Sequence, residues 1–348
     1  MLPFTSPLEP MLAEAQDEIP SGDGWFYEPK WDGFRSIVFR DGDAVHLCSR
    51  NGQPLERYFP DVVAGLKRSL PERIVIDGEI ILPGEKGLDF DALGQRIHPA
   101  ASRIKRLSEE TPAGFVAFDC LALGDDDLRE KGTLERRGVL RRNFQGHGAF
   151  FVTPHTMDAA EAKRWFEEFE GAGCDGVIAR RVELGYRPGE RVMVKIKHGR
   201  TVDVVVGAYR EGKKPGTVGS LLLGLYDEHG VFHLVGHTSS FSAKEKAALV
   251  DFLKPYVGES FGEGRAPDQP NRWSNGKQPA PTVHLRPELV CEVRYDYLQG
   301  PRFRHAATFL RWRDDKNPKD CLFSQLLPPN PFSLEKIVAL SPSRVAST

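Results

Sequence analysis

The chain has no long apolar run, no clustered cysteines and almost no net charge, and each absence narrows what it can be. No stretch approaches the roughly 20 consecutive apolar residues that span a bilayer, so no membrane helix is expected. Met1-Leu2-Pro3-Phe4-Thr5 lacks the basic segment and apolar core of a secretory signal. The five cysteines (Cys48, Cys120, Cys174, Cys291 and Cys321) lie too far apart for a paired-thiolate zinc site. They read as free thiols of a reducing cytoplasm. Lys and Arg total 47 against 49 Asp and Glu, a net charge of −2. The molecule as a whole is therefore no polycation, and affinity for a polyanion has to come from a local patch.

What is present describes a folded protein of two domains. The length of 348 residues, with 40% hydrophobic and 28% charged, suits two domains of ordinary size. In the first part, Ser36 to Phe39 and Val45 to Cys48 flank the turn Asp41-Gly42-Asp43 and read as a hairpin. Arg73 to Leu82 and Gly114 to Leu123 are apolar runs that read as buried strands, with a polar stretch of helix and loop from Gln95 to Thr111 between them. Asp158 to Gly171 reads as a helix, opened by Asp158 with Glu161 and closed by Gly171. Its Ala162, Trp165, Phe166 and Phe169 share a face and read as core.

Around His198-Gly199-Arg200 the texture changes. Beyond it come five strands, Val202 to Tyr209, Ser220 to Tyr226, Phe232 to His237, Leu289 to Tyr295 and Thr308 to Arg311. One helix interrupts them, Lys244 to Tyr256, with Ser242 and Glu245 placed as a capping box. Five strands and a helix suit an OB-fold, although other small barrels share that count. Charge follows the division: residues 1–200 hold 28 Lys and Arg against 33 Asp and Glu, and residues 201–330 hold 17 against 15. The basic excess gathers at Arg294, Arg302, Arg304, Arg311, Arg313 and Lys316, against Asp296, Asp314 and Asp315. It reads either as a solvated surface or as a face for a phosphodiester chain. The tail after Pro328 is rich in Pro and Ser except at Leu334 to Leu340, and is expected to be mobile or weakly docked.

Seven segments carry candidate chemistry. Lys30-Trp31-Asp32-Gly33 offers an amine that can attack the α-phosphorus of a nucleotide; alone it reads more readily as an exposed turn that starts a hairpin. Ser49-Arg50-Asn51-Gly52 closes the first hairpin. Ile76-Asp77-Gly78-Glu79-Ile80 places two acids on one face of an apolar strand, where burying charge is costly without a reason. Phe118-Asp119 lies within an apolar run, and Cys174-Asp175-Gly176 opens another. Val194-Lys195-Ile196-Lys197 alternates so that both lysines share a face. Farther on stands Arg311-Trp312-Arg313-Asp314-Asp315-Lys316.

In this order the segments resemble the covalent nucleotidyltransferases, and in particular the ATP-dependent DNA ligases of the compact bacterial Ligase C type. The resemblance runs from Lys30 to Lys316, nearly the whole chain. It implies an α+β fold: a nucleotidyltransferase (adenylation) domain over residues 1–200, an OB-fold β-barrel domain over 201–327 and a C-terminal tail over 328–348. It implies Lys30 as nucleophile, with Lys195 and Lys197 at the α-phosphate and as cations that lower the Lys30 pKa. Glu28, Arg35, Arg50, Glu79, Phe118, Arg313 and Lys316 are implied nucleotide contacts, Phe118 by stacking on adenine and Glu28 near its amino group. Arg180 matches the family's basic residue at the end of its motif. Glu79 and Asp175 are the implied metal contacts; Asp175 stands where the family usually has glutamate. Arg294, Arg302 and Arg304 are expected on DNA. The implied cofactors are ATP and Mg2+ or Mn2+, and the implied partner is nicked duplex DNA. The protein is expected to be a cytoplasmic, nucleoid-associated monomer acting in DNA repair, without the extra modules of larger or NAD-dependent ligases. Two alternatives stay open: an RNA ligase or GTP-dependent capping guanylyltransferase, and a non-catalytic OB-fold nucleic-acid-binding protein.

Overall fold

The computed structural model describes residues 1–85, 87–259, 281–296, 298–326 and 330–341. The chain forms two compact units: Met1–His198 together with the C-terminal segment that returns to it, and Gly199–Pro328. The first unit is built on two sheets. One has the order β1-β9-β8-β2, from Leu12–Gln16 (β1), Trp25–Pro29 (β2), Gly176–Arg181 (β8) and Arg191–Lys197 (β9). The other has the order β7-β6-β5-β3-β4, from Phe34–Asp41 (β3), Ala44–Ser49 (β4), Arg73–Ile81 (β5), Gly114–Leu123 (β6) and Phe150–Val152 (β7). Helices at Pro60–Ser69 (α1), Phe90–Gly94 (α2), Ala101–Glu110 (α3), Thr133–Asn143 (α4) and Ala159–Glu168 (α5) complete this part.

Local chemistry explains most of these elements. Asp41 pairs with Ala44 across the β3-β4 turn, and Gly42 takes φ +62°, a conformation that favours glycine in a two-residue loop. Apolar β5 and β6 lie at the centre of their sheet, and Val38, Ile74, Ile76, Ile80, Phe115 and Ala117 share one core with Val62 and Leu66 of α1. Gly33 is fixed by close approach: a Cβ there would lie 2.1 Å from the Ile80 carbonyl oxygen. The segment carrying Lys30 can therefore lie against β5 beside Glu79.

Helix α5 begins where expected, with Asp158 accepting from the Ala160 N–H at 2.8 Å. Glu161 does not return the cap; it accepts from the Thr156 hydroxyl instead. The helix continues as a 3-10 turn over Phe169–Ala172, and the left-handed stop is Gly173 at φ +91°, not Gly171. Gly171 has another task, because a Cβ there would stand 1.8 Å from the Asn330 carbonyl oxygen. The C-terminal segment passes over this point and forms Leu334–Leu340 (α7), whose Ile337 is fully buried. The expected mobile or weakly docked tail is, over residues 330–341, a docked part of the first unit. Its apolar residues found a partner that sequence proximity does not reveal.

The second unit is an OB-fold barrel. Its strands are Arg200–Glu211 (β10), Val218–Tyr226 (β11), Phe232–Thr238 (β12), Thr282–Tyr295 (β13) and Thr308–Trp312 (β14), in the order β12-β11-β10-β13-β14. A parallel bridge between Thr238 and Ala307 brings the two ends of that order together. Helix Ala243–Leu253 (α6) opens with the full reciprocal capping box of Ser242 and Glu245. All five cysteines are buried free thiols.

Gly33→Ala is expected to destabilise the protein by about 2–3 kcal/mol through the clash with β5. Gly94→Ala, with nothing within 4 Å of the added carbon, is expected to stay within about 1 kcal/mol of the parent. Denaturant unfolding checks both, and equal stabilities would contradict the close-approach account.

Candidate active site

Both sheets of the first unit contribute to one pocket. Glu28, Ile178, Met193, Lys195 and Lys197 come from the first sheet and Arg35, Glu79 and Phe118 from the second; Lys30, Trp31 and Arg50 come from the connections beside them. Alternation along β9 accounts for Met193, Lys195 and Lys197 together. Along β8, Ile178 and Arg180 stand two residues apart, Ile178 opposite Lys195 and Glu28.

At the head of the pocket one carboxylate oxygen holds two ammonium groups. Lys30 Nζ lies 2.7 Å, and Lys197 Nζ 2.8 Å, from Asp175 Oδ2. The main chain fixes the pair, since the Lys30 N–H donates to the Gly176 carbonyl at 2.9 Å and the Asp175 N–H donates to the Lys30 carbonyl at 2.8 Å. Gly176, at φ +128°, has Ile196 O within 1.9 Å of where a Cβ would stand, so this crossing requires glycine. The Lys30 side chain is 20% exposed.

The electrostatics depart from the expectation that neighbouring cations make Lys30 acidic. Burial does push the Lys30 ammonium down, but Asp175, with Glu79 and Asp32, outweighs burial and holds it above the ordinary lysine value. Lys197 is turned to the same carboxylate rather than set against Lys30 alone. Lys195 is the lysine whose pKa falls, by burial and then by the charges of Lys197, Lys30 and Arg50. Burial pushes the Glu79 carboxyl up to about 8 against the pull of Lys30 and Arg35.

The two acids of β5 have separate tasks. Asp77 is fully buried, binds Arg35 through both oxygens at 3.0 and 2.6 Å, and accepts from the Tyr186 hydroxyl at 2.6 Å. Glu79, across the strand pair from Arg35, lines the pocket. The Arg35 guanidinium also sits 4.9 Å from the centre of the Phe118 ring. Tyr186 carries no sequence signal for this role.

Behind the pocket lies a buried charge network that sequence reading found only in pieces. Arg180 binds both oxygens of Glu28 at 2.9 and 2.8 Å, Asp119 at 2.8 Å and the Phe118 carbonyl at 3.0 Å. Arg136 binds both oxygens of Asp119 at 2.8 and 2.9 Å. Arg137 donates to the carbonyls of Phe118 and Thr153. An Arg-Arg pair on a surface-like helix gives no sequence sign of burial.

Among the described residues no group of three or more His, Cys, Asp or Glu is set to hold a metal. The acids present suit a cation that arrives with phosphates, since magnesium keeps water ligands and takes one or two carboxylates plus substrate oxygens.

In the second unit, Arg313 binds Asp203 at 2.9 Å and Asp315 at 2.8 Å, and Arg311 binds Glu292 at 2.6 Å. Part of the basic stretch is thus neutralised locally. Arg294 is exposed on β13, while Arg302, Arg304 and Lys316 are half-buried.

The Asp119 carboxyl gives a pH test. Burial alone would raise it, but Arg136, Arg180 and Arg137 hold it below the ordinary aspartate value. A folded-state pKa below the unfolded one stabilises at neutral pH, and that stabilisation is lost as pH falls through the folded value. Asp119→Asn is expected to cost about 3–5 kcal/mol at pH 7. Measured by urea unfolding, the gap to the parent should narrow below about pH 4. A gap that does not change with pH would contradict this.

Comparison with known proteins adds an independent line. Residues 10–197 match the profile described as "ATP dependent DNA ligase domain", and residues 214–316 that described as "ATP dependent DNA ligase C terminal region". DNA ligase C of Mycobacterium tuberculosis is 50% identical over 97% of this chain and 98% of that protein. DNA ligase C2 of Mycolicibacterium smegmatis is 48% identical over 96% and 98%. A solved structure of a Lig E DNA ligase is 18% identical with a TM-score of 0.54, covering 87% of this chain and 99% of that one; at that identity the likeness speaks to fold alone.

Proposed function

The chain belongs to the ATP-dependent DNA ligase family, and from that premise we propose which of its side chains carry the reaction. It is an enzyme that uses ATP and a divalent cation to seal nicks in duplex DNA, through a lysyl-AMP and then an adenylylated 5′-phosphate. We assign the lysyl-AMP to Lys30. Its amine, once deprotonated, attacks the α-phosphorus of ATP; the N–P bond forms as the bond to the bridging oxygen breaks, and pyrophosphate leaves with that electron pair. The 5′-phosphate of the nick then displaces Lys30 from AMP, and the 3′-hydroxyl displaces AMP. The observation that carries the assignment is the position of Lys30 at the head of the pocket, 2.7 Å from Asp175, with Lys195, Lys197 and Glu79 on the same lining.

The other assignments follow the chemistry of each group. Lys195 and Lys197 neutralise charge that develops around the α-phosphate. Phe118 offers an apolar face to adenine. Glu28 serves through its main-chain carbonyl, because its carboxylate is bound to Arg180. Arg35, Arg50 and Glu79 contact the rest of the nucleoside and its phosphate. Arg313 and Lys316 act on the β- and γ-phosphates, and Arg294, Arg302 and Arg304 on DNA phosphates. The divalent cation neutralises phosphate charge when bound, and Glu79 and Asp175 are the carboxylates that would hold it. We place the enzyme at the nucleoid in the cytoplasm, as a monomer acting in DNA repair. No helix among the described residues is long and apolar enough to cross a membrane.

Lys30→Ala is expected to abolish transfer of α-phosphate label from ATP to the protein, while a pre-adenylylated nick is still sealed. A stable protein–AMP adduct in the variant would sink the assignment.

A further inference from the structure

The returning C-terminal segment packs into the core that holds the neighbours of the nucleophile. Ile337 of α7 shares one buried core with Trp31, Phe151, Trp165, Phe169 and Cys174, and Phe332, Leu334 and Val338 pack against it. Two of those residues flank the reacting pair in sequence: Trp31 follows Lys30, and Cys174 precedes Asp175. The docking is specific. Asn330 passes so close to Gly171 that no side chain fits between them. The Phe332 ring lies 5.2 Å from that of Phe169. The Ser341 hydroxyl donates to the Val152 carbonyl on β7. The next residue, Thr153, accepts from the Trp31 indole N–H at 2.8 Å. Trp31 is thus held from one side by Thr153 and lies in the core that Ile337 completes.

We propose that residues 330–341 act as a positioning element for the adenylylation step, bracing Trp31 and Cys174 so that Lys30 and Asp175 keep their register. This rests on the reading of Lys30 as the nucleophile. The physical basis is that attack in line on phosphorus tolerates little displacement of the amine. A core that fixes both neighbours of the pair limits that displacement. The segment also makes the OB-fold unit an insertion, since the chain leaves the first unit after His198 and is back in it by Asn330. Sealing of a nick that already carries AMP does not use the Lys30 amine as nucleophile, so it depends less on the brace.

The test uses full-length protein and two variants that disturb the docking from opposite sides, Ile337→Ala and Gly171→Ala. Each is expected to slow lysyl-adenylate formation by about tenfold or more at saturating ATP, with sealing of a pre-adenylylated nick changed by less than about threefold. Ile337→Leu, which conserves volume, is expected to restore the first step. The control is Leu66→Ala, a fully buried residue in a separate core of the same unit, assayed below the melting temperature of every variant. It should lose stability without the selective loss. Adenylylation within about twofold of the parent in both docking variants, or an equal selective loss in Leu66→Ala, would overturn the proposal. A Lys30→Ala protein that still forms the adduct would instead overturn the reading beneath it.

Discussion

A single carboxylate oxygen shared by two lysines is the interaction on which the first unit is organised. Asp175 can hold Lys30 and Lys197 only because the main chains of Lys30 and Asp175 are hydrogen-bonded across the crossing at Gly176. Gly33 lets the same segment lie on β5. Charges taken from water this way need partners close by, and removing one partner leaves the other uncompensated. The arrangement keeps the Lys30 amine protonated while the pocket holds only protein groups. On the proposed assignment, a polyphosphate would offer the lysines anionic oxygens and its cation would compete for Asp175, which would free Lys30 from the partner that holds its proton.

The walls of the pocket depend on a second set of buried charges. One guanidinium, Arg180, ties Glu28 on β2 to Phe118 and Asp119 on β6. Three arginines meet two acids here, and Arg137 donates to carbonyl oxygens, its pKa lowered to about 10 by burial and by the charge of Arg180. Such a network costs desolvation and returns fixed geometry when every member is bonded. In this protein it joins strands from the two sheets that line the pocket.

Much of this was readable in the sequence, for local reasons. Period-two alternation placed Lys195 and Lys197 on one face, and the apolar runs at Arg73 to Leu82 and Gly114 to Leu123 marked the central strands. Ser242 and Glu245 marked the start of α6. The readings that changed all depend on contacts between residues far apart in the chain. Gly171 looked like a helix stop because nothing nearby shows that Asn330 will lie against it. The α7 segment looked loose because its partners, Trp165 and Phe169, are more than 150 residues earlier. Lys30 was expected to be acidified by Lys195 and Lys197, since sequence lists the cations but not the distance to Asp175. Arg136 and Arg137 of α4 drew no reading from sequence, because Asp119 and the two carbonyls they bind lie outside that helix.

The central claim is that Asp175 holds the Lys30 amine protonated until nucleotide arrives. It is tested most directly by an NMR titration of the Lys30 side-chain nitrogen in nucleotide-free protein, assigned by comparison with Lys30→Arg. The expected result is a midpoint above the ordinary lysine value of about 10.4, falling by at least about one unit in Asp175→Asn as burial takes over. A midpoint near neutrality in the unsubstituted protein, or one that Asp175→Asn leaves in place, would contradict the account.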